Sequence, residues 1–200
     1  MPRIITVGRE FGSGGRELGR RIADDLKIAY YDNEIITRIA ERTELSEEYV
    51  KHVMESEPSA LLPITVGRSF YMRADPVMEQ NNTIYREQSR LILELAEKSD
   101  CVIVGRSADY ILRQMQPFKL FVYAQKEHKL ERCRKRAAQQ EHFTDKELWR
   151  HIREIDRRRA KYYQFFTGQT WGDRLNYDLC VNTSNAGIKE LAEAIARLVG

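Results

Sequence analysis

The chain has 200 residues, 42% of them hydrophobic, a length that suits one domain with an inserted lobe. Its formal net charge is only +3, so the protein as a whole is not a polycation. No apolar run approaches the roughly 20 residues that a membrane helix needs, and the N-terminus lacks the apolar region of a secretory signal. These features exclude a membrane protein and favour a cytoplasmic location.

Short apolar runs predict the strands of a parallel sheet. Three of them are typical of buried strands, namely Ile4–Val7, Cys101–Val104 and Lys119–Tyr123. Residues 26–32 predict a short edge strand, and the alternating segment 177–182 predicts the last strand. Because helical segments lie between the strands, we expect an α/β fold with a parallel sheet and helices on both faces, in three α/β/α layers.

The predicted helices follow the strands in chain order. Acidic residues after Ser46 are typical of the first turn of a helix, and the last helix places Ile188, Leu191 and Ile195 on one face. The predicted helices are 16–26, 34–42, 46–54, about 83–98 and 188–198.

Two segments are too long to be simple crossovers between strands. Residues 32–99 and 126–175 are therefore expected to form lobes over the carboxyl edge of the sheet, where such folds bind ligands. The remaining segments, 1–31, 100–125 and 176–200, form the predicted core of a single domain.

A glycine-rich stretch follows the first strand in the sequence VGREFGSGGRELG. Glycines allow backbone amides to approach an anion closely, and the helix that follows favours negative charge at its N-terminus. The stretch therefore predicts a phosphate-binding loop in which the backbone amides of residues 12–16 hold phosphates. The alternative is a glycine turn that serves only close packing.

This loop lacks the lysine of the pattern G-x-x-x-x-G-K-[ST]. Gly15 stands where the lysine is expected, and Arg16 is the natural substitute cation because a guanidinium can bind phosphate through two donors. Glu17 replaces the hydroxyl that usually helps to hold magnesium. Ser13 carries the only hydroxyl of the loop and is therefore the candidate metal ligand. The predicted phosphate-binding residues are Gly12, Ser13, Gly14, Gly15 and Arg16.

The tripeptide VGR occurs at 7–9, 66–68 and 104–106, with irregular spacing and different flanking residues. We infer no structural repeat from it. The first and third copies end predicted strands, so Arg9 and Arg106 could both face a ligand. The middle copy is interpreted as a coincidence.

Two basic segments fall in the second lobe. On a helix over 126–136, Lys129, Arg132 and Arg136 share one face, which is either a cationic wall for a triphosphate or a solvated helix face. Arginines at 153–159 precede the sequence YYQFF. Basic residues beside aromatic ones can bind single-stranded nucleic acid, but we favour helix packing for these rings and a lid role for the arginines.

Carboxylates that could act on an acceptor are few. Asp32, at a strand end, could position or deprotonate an acceptor hydroxyl, with Asp109 and Asp156 as alternatives. Carboxylates near phosphates can also hold magnesium through water. A solvated or ion-paired carboxylate remains the alternative for each.

Six segments together resemble the cytidylate kinase-like branch of the P-loop nucleoside monophosphate kinases. They are VGREFGSGGRELG, YYDNEII, CVIVGRSADYIL, LERCRKR, IDRRRAKYYQFFTG and NYDLCVNTS, and they span nearly the whole chain. The resemblance implies a P-loop kinase fold with an acceptor-binding lobe at 32–99, a lid within 126–175, and ATP and Mg²⁺ as cofactors.

The resemblance also implies roles for individual residues. Asp32 and Arg106 would contact the acceptor, with Ser107 in place of the aspartate that usually follows this arginine. Arg132 and Arg136 would face the donor phosphates. Asp156 and Arg158 match part of the lid signature.

We therefore expect ATP-dependent phosphoryl transfer to a small acceptor, such as the nucleoside monophosphate CMP. Positive charge would come from Arg16, Arg132, Arg136 and Arg158. The missing lysine keeps open a second hypothesis, a regulatory protein that binds nucleotide without turnover. A nucleic-acid-binding module is a third and is disfavoured by the low net charge. Exposed aromatic residues in the lid leave homodimer formation open.

Overall fold

A computed structural model describes residues 2–55, 76–136 and 143–200, and its centre is a five-stranded parallel sheet. Across the sheet the strand order is β2-β3-β1-β4-β5, and each neighbouring pair runs parallel. The five predicted strands and the α/β fold are confirmed. The strands are β1 (Ile4–Arg9), β2 (Ala29–Tyr31), β3 (Cys101–Val104), β4 (Phe118–Tyr123) and β5 (Leu179–Asn182).

Helices connect these strands and cover both faces of the sheet. α4 begins seven residues before the predicted start at 83, since Pro76 is compatible with the first turn of a helix. The short α5 was not predicted. The helices are α1 (Gly15–Leu26), α2 (Glu34–Thr43), α3 (Glu47–Glu55), α4 (Pro76–Lys98), α5 (Ala108–Ile111), α6 (Lys126–Arg136), α7 (Asp145–Thr167) and α8 (Ile188–Val199).

Alternate residues of the strands enter two separate hydrophobic cores. Ile103 of β3 packs in the core formed by α2, α3 and α4, whereas Val102 and Val104 pack in the core formed by α1 and α8. Side chains of successive strand residues point to opposite faces, so a sheet buried on both sides needs continuous apolar runs. This arrangement produces the three layers.

The central strand β1 has β3 on one side and β4 on the other. The chain leaves β1 and β3 at the same carboxyl edge, and parallel sheets bind ligands in the crevice at such an edge. Parts of both predicted lobes, at 56–75 and 137–142, lie outside the described residues, as does the middle VGR copy. No helix in the described ranges is both long and apolar enough to cross a bilayer.

Candidate functional site

The loop between β1 and α1 has the geometry of an anion-binding turn. Gly12 and Gly14 adopt left-handed φ angles of 74° and 82°, which favour glycine. Gly14 is the N-cap of α1 and provides no side-chain cap, so the first turn of the helix directs backbone N–H groups toward the crevice. This geometry can hold a phosphate through backbone donors.

A cavity of about 280 Å³ opens over this loop. Its volume is close to the lower end of the range of roughly 300–1,000 Å³ typical of small-molecule sites. Basic and aromatic side chains surround the glycines. They include Arg9, Phe11, Arg16, Arg132, Arg136 and Arg159.

Arg16 points from the loop toward Asp32 and Asn33, which follow β2. Its Nε forms an ion pair with Asp32, and its Nη2 donates a hydrogen bond to the Asn33 side chain at 3.3 Å. Asp32 is only 4% exposed and lies just after β2, so the contact joins the phosphate loop to the start of the 32–99 lobe. The structure thus brings together two predicted site residues.

Arg9 is a largely buried basic residue near this carboxylate. Its side chain is 12% exposed, and its Nη2 lies 3.7 Å from Asp32 Oδ1. Burial, together with the nearby Arg159, Arg106 and Arg16, lowers the pKa of Arg9 to about 9, while Asp32 opposes this shift. We call Arg9, Arg16, Arg106 and Arg159 the arginine cluster. Its excess positive charge suits an anionic ligand.

Arg106 lies in a strained turn after β3. Gly105, Arg106 and Ser107 all have positive φ, of 74°, 60° and 52°. Such angles cost a non-glycine residue on the order of 1–3 kcal/mol and are frequent at functional sites. Gln88 stabilises the turn by donating a hydrogen bond of 2.9 Å to the Arg106 carbonyl.

This turn borders a second, smaller cavity of about 50 Å³. Ser107 is buried there at the start of α5. Arg9 and Arg159 line both this cavity and the one over the loop, so the arginine cluster lies where the two meet. Other residues around the second cavity include Arg106, Ser107, Asp109, Tyr163 and Trp171.

Arg132 and Arg136 reach the loop from α6. Arg132 Nη1 donates to the Ser13 carbonyl at 3.3 Å and to Thr183 Oγ1 at 3.1 Å, so it ties the loop to the end of β5. Arg136 is exposed and lies 3.5 Å from Glu17. Both line the larger cavity, as expected for residues that face donor phosphates.

Asp156 contacts the phosphate loop and α6. Its Oδ1 accepts a hydrogen bond of 2.7 Å from the Phe11 backbone, and its Oδ2 lies 3.3 Å from Lys129 Nζ. Lys129 also pairs with Glu10 at 2.7 Å. Lys129, predicted on the cationic wall, is therefore a buried structural residue, and Asp156 orients the loop.

Adjacent arginines of α7 point in different directions. Arg158 is exposed, pairs with Glu154 at 3.1 Å, and lines neither of the two cavities. Arg159 donates to the Arg9 carbonyl at 3.4 Å and lines both. Arg159 therefore lies at the two cavities, and the predicted role of Arg158 stays a prediction.

Asp109 and Trp171 are both engaged in packing contacts. Tyr163 donates a hydrogen bond of 2.6 Å to Asp109, and burial raises the pKa of this carboxyl. Trp171 packs edge-to-face on Phe121, with ring centroids 5.3 Å apart. On α7, Phe166 stacks on Tyr85, so the YYQFF rings pack against α4 as we favoured.

Comparison with known proteins agrees with this geometry. The sequence pattern of the cytidylate kinase-like family matches residues 4–185. The chain belongs to the cytidylate kinase-like family. No curated protein matches it in sequence.

Solved structures with the same fold include P-loop kinases. A protein described as uncharacterized, from Eubacterium ventriosum ATCC 27560, is 24% identical with a TM-score of 0.71 over 98% of each chain. Shikimate kinase from Bacteroides thetaiotaomicron is 16% identical, with a TM-score of 0.58 over 100% of this chain and 99% of that one. Shikimate kinase from Acinetobacter baumannii, in complex with shikimate, is 16% identical, with a TM-score of 0.54 over 100% and 93%. The P-loop kinase fold of this cytidylate kinase-like chain is thus confirmed.

The loop of this cytidylate kinase-like chain fits a polyphosphate better than it fits a directly bound metal. Gly12 and Gly14 line the cavity with backbone alone, and arginine side chains surround it. Ser13 is fully buried, and its hydroxyl donates to the Glu10 carbonyl at 2.8 Å while accepting from the Gly15 N–H. Its proposed contact with magnesium stays a prediction. Among residues 2–55, 76–136 and 143–200, no group of three His, Cys, Asp or Glu side chains is arranged to hold a metal.

Proposed function

We propose that this protein is an ATP-dependent kinase whose acceptor is a nucleoside monophosphate, with CMP as the first candidate. The observation that carries the proposal is the arginine cluster, which lies beside the glycine loop and in which Arg9 and Arg16 approach the buried carboxylate of Asp32. Two cavities meet at this cluster, as expected where a donor and an acceptor exchange a phosphoryl group.

The donor phosphates would lie over the loop. Backbone N–H groups of Gly12, Gly14 and Arg16 and the dipole of α1 would bind them, and Arg136 would add a charged contact from α6. Arg132 would act by holding the loop carbonyls in place. Mg²⁺ would contribute charge neutralisation while bound to phosphate oxygens and water.

The acceptor phosphate would bind on the other side of the cluster. Arg106 projects from the strained turn at the second cavity, and Arg159 reaches the same cavity from α7. Guanidinium groups suit a phosphate because they donate two parallel hydrogen bonds. Asp32 would orient Arg9 and Arg16 and, through them, the acceptor.

Little acid–base chemistry is needed for this reaction. An acceptor phosphate oxygen is already ionised near neutral pH, so it can attack the γ-phosphorus directly while the bond from that phosphorus to the β-γ bridging oxygen breaks and ADP leaves. Catalysis then depends on position and on neutralising the oxygens of the transferring group. The arginine cluster supplies both.

The second candidate function, a nucleotide-binding regulator, is favoured by one observation. Gly15 stands at the lysine position of the loop, so the usual cation for transfer is absent. Such a protein would bind ATP with no transfer to any acceptor.

An assay of ADP release separates the two candidates. We would test CMP, dCMP, UMP, AMP and GMP, together with shikimate because shikimate kinases share the fold. The kinase predicts ADP release with at least one monophosphate. Arg106→Met should then raise the KM for the acceptor about tenfold or more, whereas Arg90→Met, which changes an exposed arginine of α4, should leave it unchanged. Calorimetric ATP binding with no ADP release from any acceptor would favour the regulator.

A further inference from the structure

We propose that Arg9 takes the place of the missing lysine of the phosphate loop, so that its guanidinium binds the β- and γ-phosphates of the donor. The proposal rests on the proposed function and names the residue that neutralises the transferring group. Sequence spacing pointed to Arg16 for this role, because Arg16 directly follows the lysine position.

The space that a side chain at position 15 would need is already filled by Arg9. A Cβ atom built on Gly15 lies 2.5 Å from Arg9 Cβ, closer than non-bonded carbons approach, and 3.1 Å from Val122 Cβ, which is a tight contact. A lysine at position 15 would therefore start in the volume that the Arg9 side chain occupies. The absence of a side chain at Gly15 and the position of the Arg9 side chain therefore depend on each other.

The far end of the Arg9 side chain also needs a glycine. Its guanidinium lies against Gly105, where a Cβ atom would overlap the Nη1 nitrogen. The side chain thus runs from the first turn of α1 to the turn after β3, and it borders both cavities. In P-loop proteins the lysine reaches the β- and γ-phosphates, which lie at this junction of donor and acceptor.

The other candidate cations have different partners in this structure. Arg16 contacts Asp32 and Asn33 at the entrance to the acceptor lobe. Arg132 donates to the carbonyl oxygens of Ser13 and Thr183, so its N–H groups are used within the protein and not by a phosphate. Arg9 has one carboxylate nearby, at 3.7 Å, and three other arginines around it.

The environment of Arg9 suits an anionic ligand. Burial and the neighbouring arginines lower the pKa of Arg9 to about 9, while Asp32 opposes them. A phosphate beside the guanidinium would offset the repulsion between the arginines.

The test compares Arg9→Met with Arg9→Lys and with the exposed control Arg90→Met. Titration calorimetry with Mg-ATP and with inorganic tripolyphosphate measures affinity without requiring turnover. We expect Arg9→Met to weaken both about 10- to 100-fold, as for loss of a charged hydrogen bond, and Arg9→Lys to weaken them less. Arg90→Met should bind as the wild type does.

A relocation of the cation gives a second test. Gly15→Lys alone should weaken tripolyphosphate binding because the new side chain collides with Arg9. The double variant Arg9→Gly with Gly15→Lys removes the collision and restores the usual lysine. It should bind tripolyphosphate more tightly than Arg9→Gly does.

Each outcome decides the inference separately from the proposed function. Wild-type affinity in a folded Arg9→Met overturns the assignment of Arg9 even when the wild type proves to be a kinase. Weaker binding by a stable Arg9→Met supports it even when no acceptor is phosphorylated. A wild type that binds neither Mg-ATP nor tripolyphosphate overturns both proposals.

Discussion

Lys129 and Asp156 form a buried ion pair under the phosphate loop, with Lys129 Nζ 3.3 Å from Asp156 Oδ2. The other carboxylate oxygen accepts the Phe11 N–H, and Glu10 approaches the same ammonium group to 2.7 Å. These contacts connect α6, α7 and the loop. The position of α7 is therefore tied to the conformation of the residues that precede Gly12.

Lys129→Met should strongly destabilise the protein, because it leaves two carboxylates near each other without their buried cation. We expect a loss of about 3–5 kcal/mol in the free energy of unfolding, measured by urea denaturation. Lys126→Met is the matched control, since Lys126 lies on the same helix, also near Trp149, but is exposed. Equal stability of the two variants would show that the ion pair does not hold the loop.

Arg132→Met should loosen the phosphate loop. Its guanidinium bonds to the Ser13 carbonyl and to both oxygens of Thr183, so we expect a loss of about 1–3 kcal/mol in stability together with weaker ATP binding. Arg132→Lys should recover little, because an ammonium group cannot make these divergent contacts. Arg134 lies on the same helix as Arg132, is exposed, and pairs with Asp145 of α7. Arg134→Met should therefore change neither stability nor ATP binding appreciably. Full recovery by lysine would indicate that only charge matters at this position.

Arg159→Met should impair turnover much more than Arg158→Met. Arg159 lines both cavities, whereas Arg158 pairs with Glu154 on the outer side of α7. Loss of an arginine that neutralises a transferring phosphoryl group costs about 10³-fold or more in kcat, so we expect at least a hundredfold difference between the two variants. Steady-state kinetics would measure it. A larger loss in Arg158→Met would support the sequence-based assignment instead.

The pH dependence of stability should reveal the buried carboxyl of Asp109. Burial raises its pKa above the ordinary value of 3.8, so the folded state binds the proton more tightly than the unfolded state does. As pH rises from about 4 toward 7, the wild type should therefore lose stability relative to Asp109→Asn, whose side chain does not titrate. Urea denaturation of both proteins at several pH values measures the difference. A relative gain with rising pH would mean that the Tyr163 hydrogen bond outweighs burial.

The sheet could be predicted because its strands are buried on both faces and therefore appear as continuous apolar runs. The loop could be predicted because glycines and the following helix are adjacent in sequence. α5 has only four residues, too few for a periodic pattern, and it was missed.

Side-chain partners in the site were harder to predict, since they depend on how distant elements pack. The pairing of Lys129 with Asp156 requires the docking of α6 against α7, and the choice between Arg158 and Arg159 depends on the rotation of α7. The sequence did indicate that Arg9 could face a ligand, because two VGR copies lie at the ends of strands that are parallel neighbours in the sheet. Only the structure showed that Gly15 and Gly105 accommodate its side chain.

The shared volume of positions 9 and 15 constrains how such a loop can evolve. A chain with the usual lysine and a chain with this arrangement differ at two positions that must change together. Changing one first produces an ancestor either with two long side chains in the same volume or with no cation at all. With the proposed role of Arg9, either ancestor would bind nucleotide more weakly, so we expect lineages to retain the kind of loop they inherited.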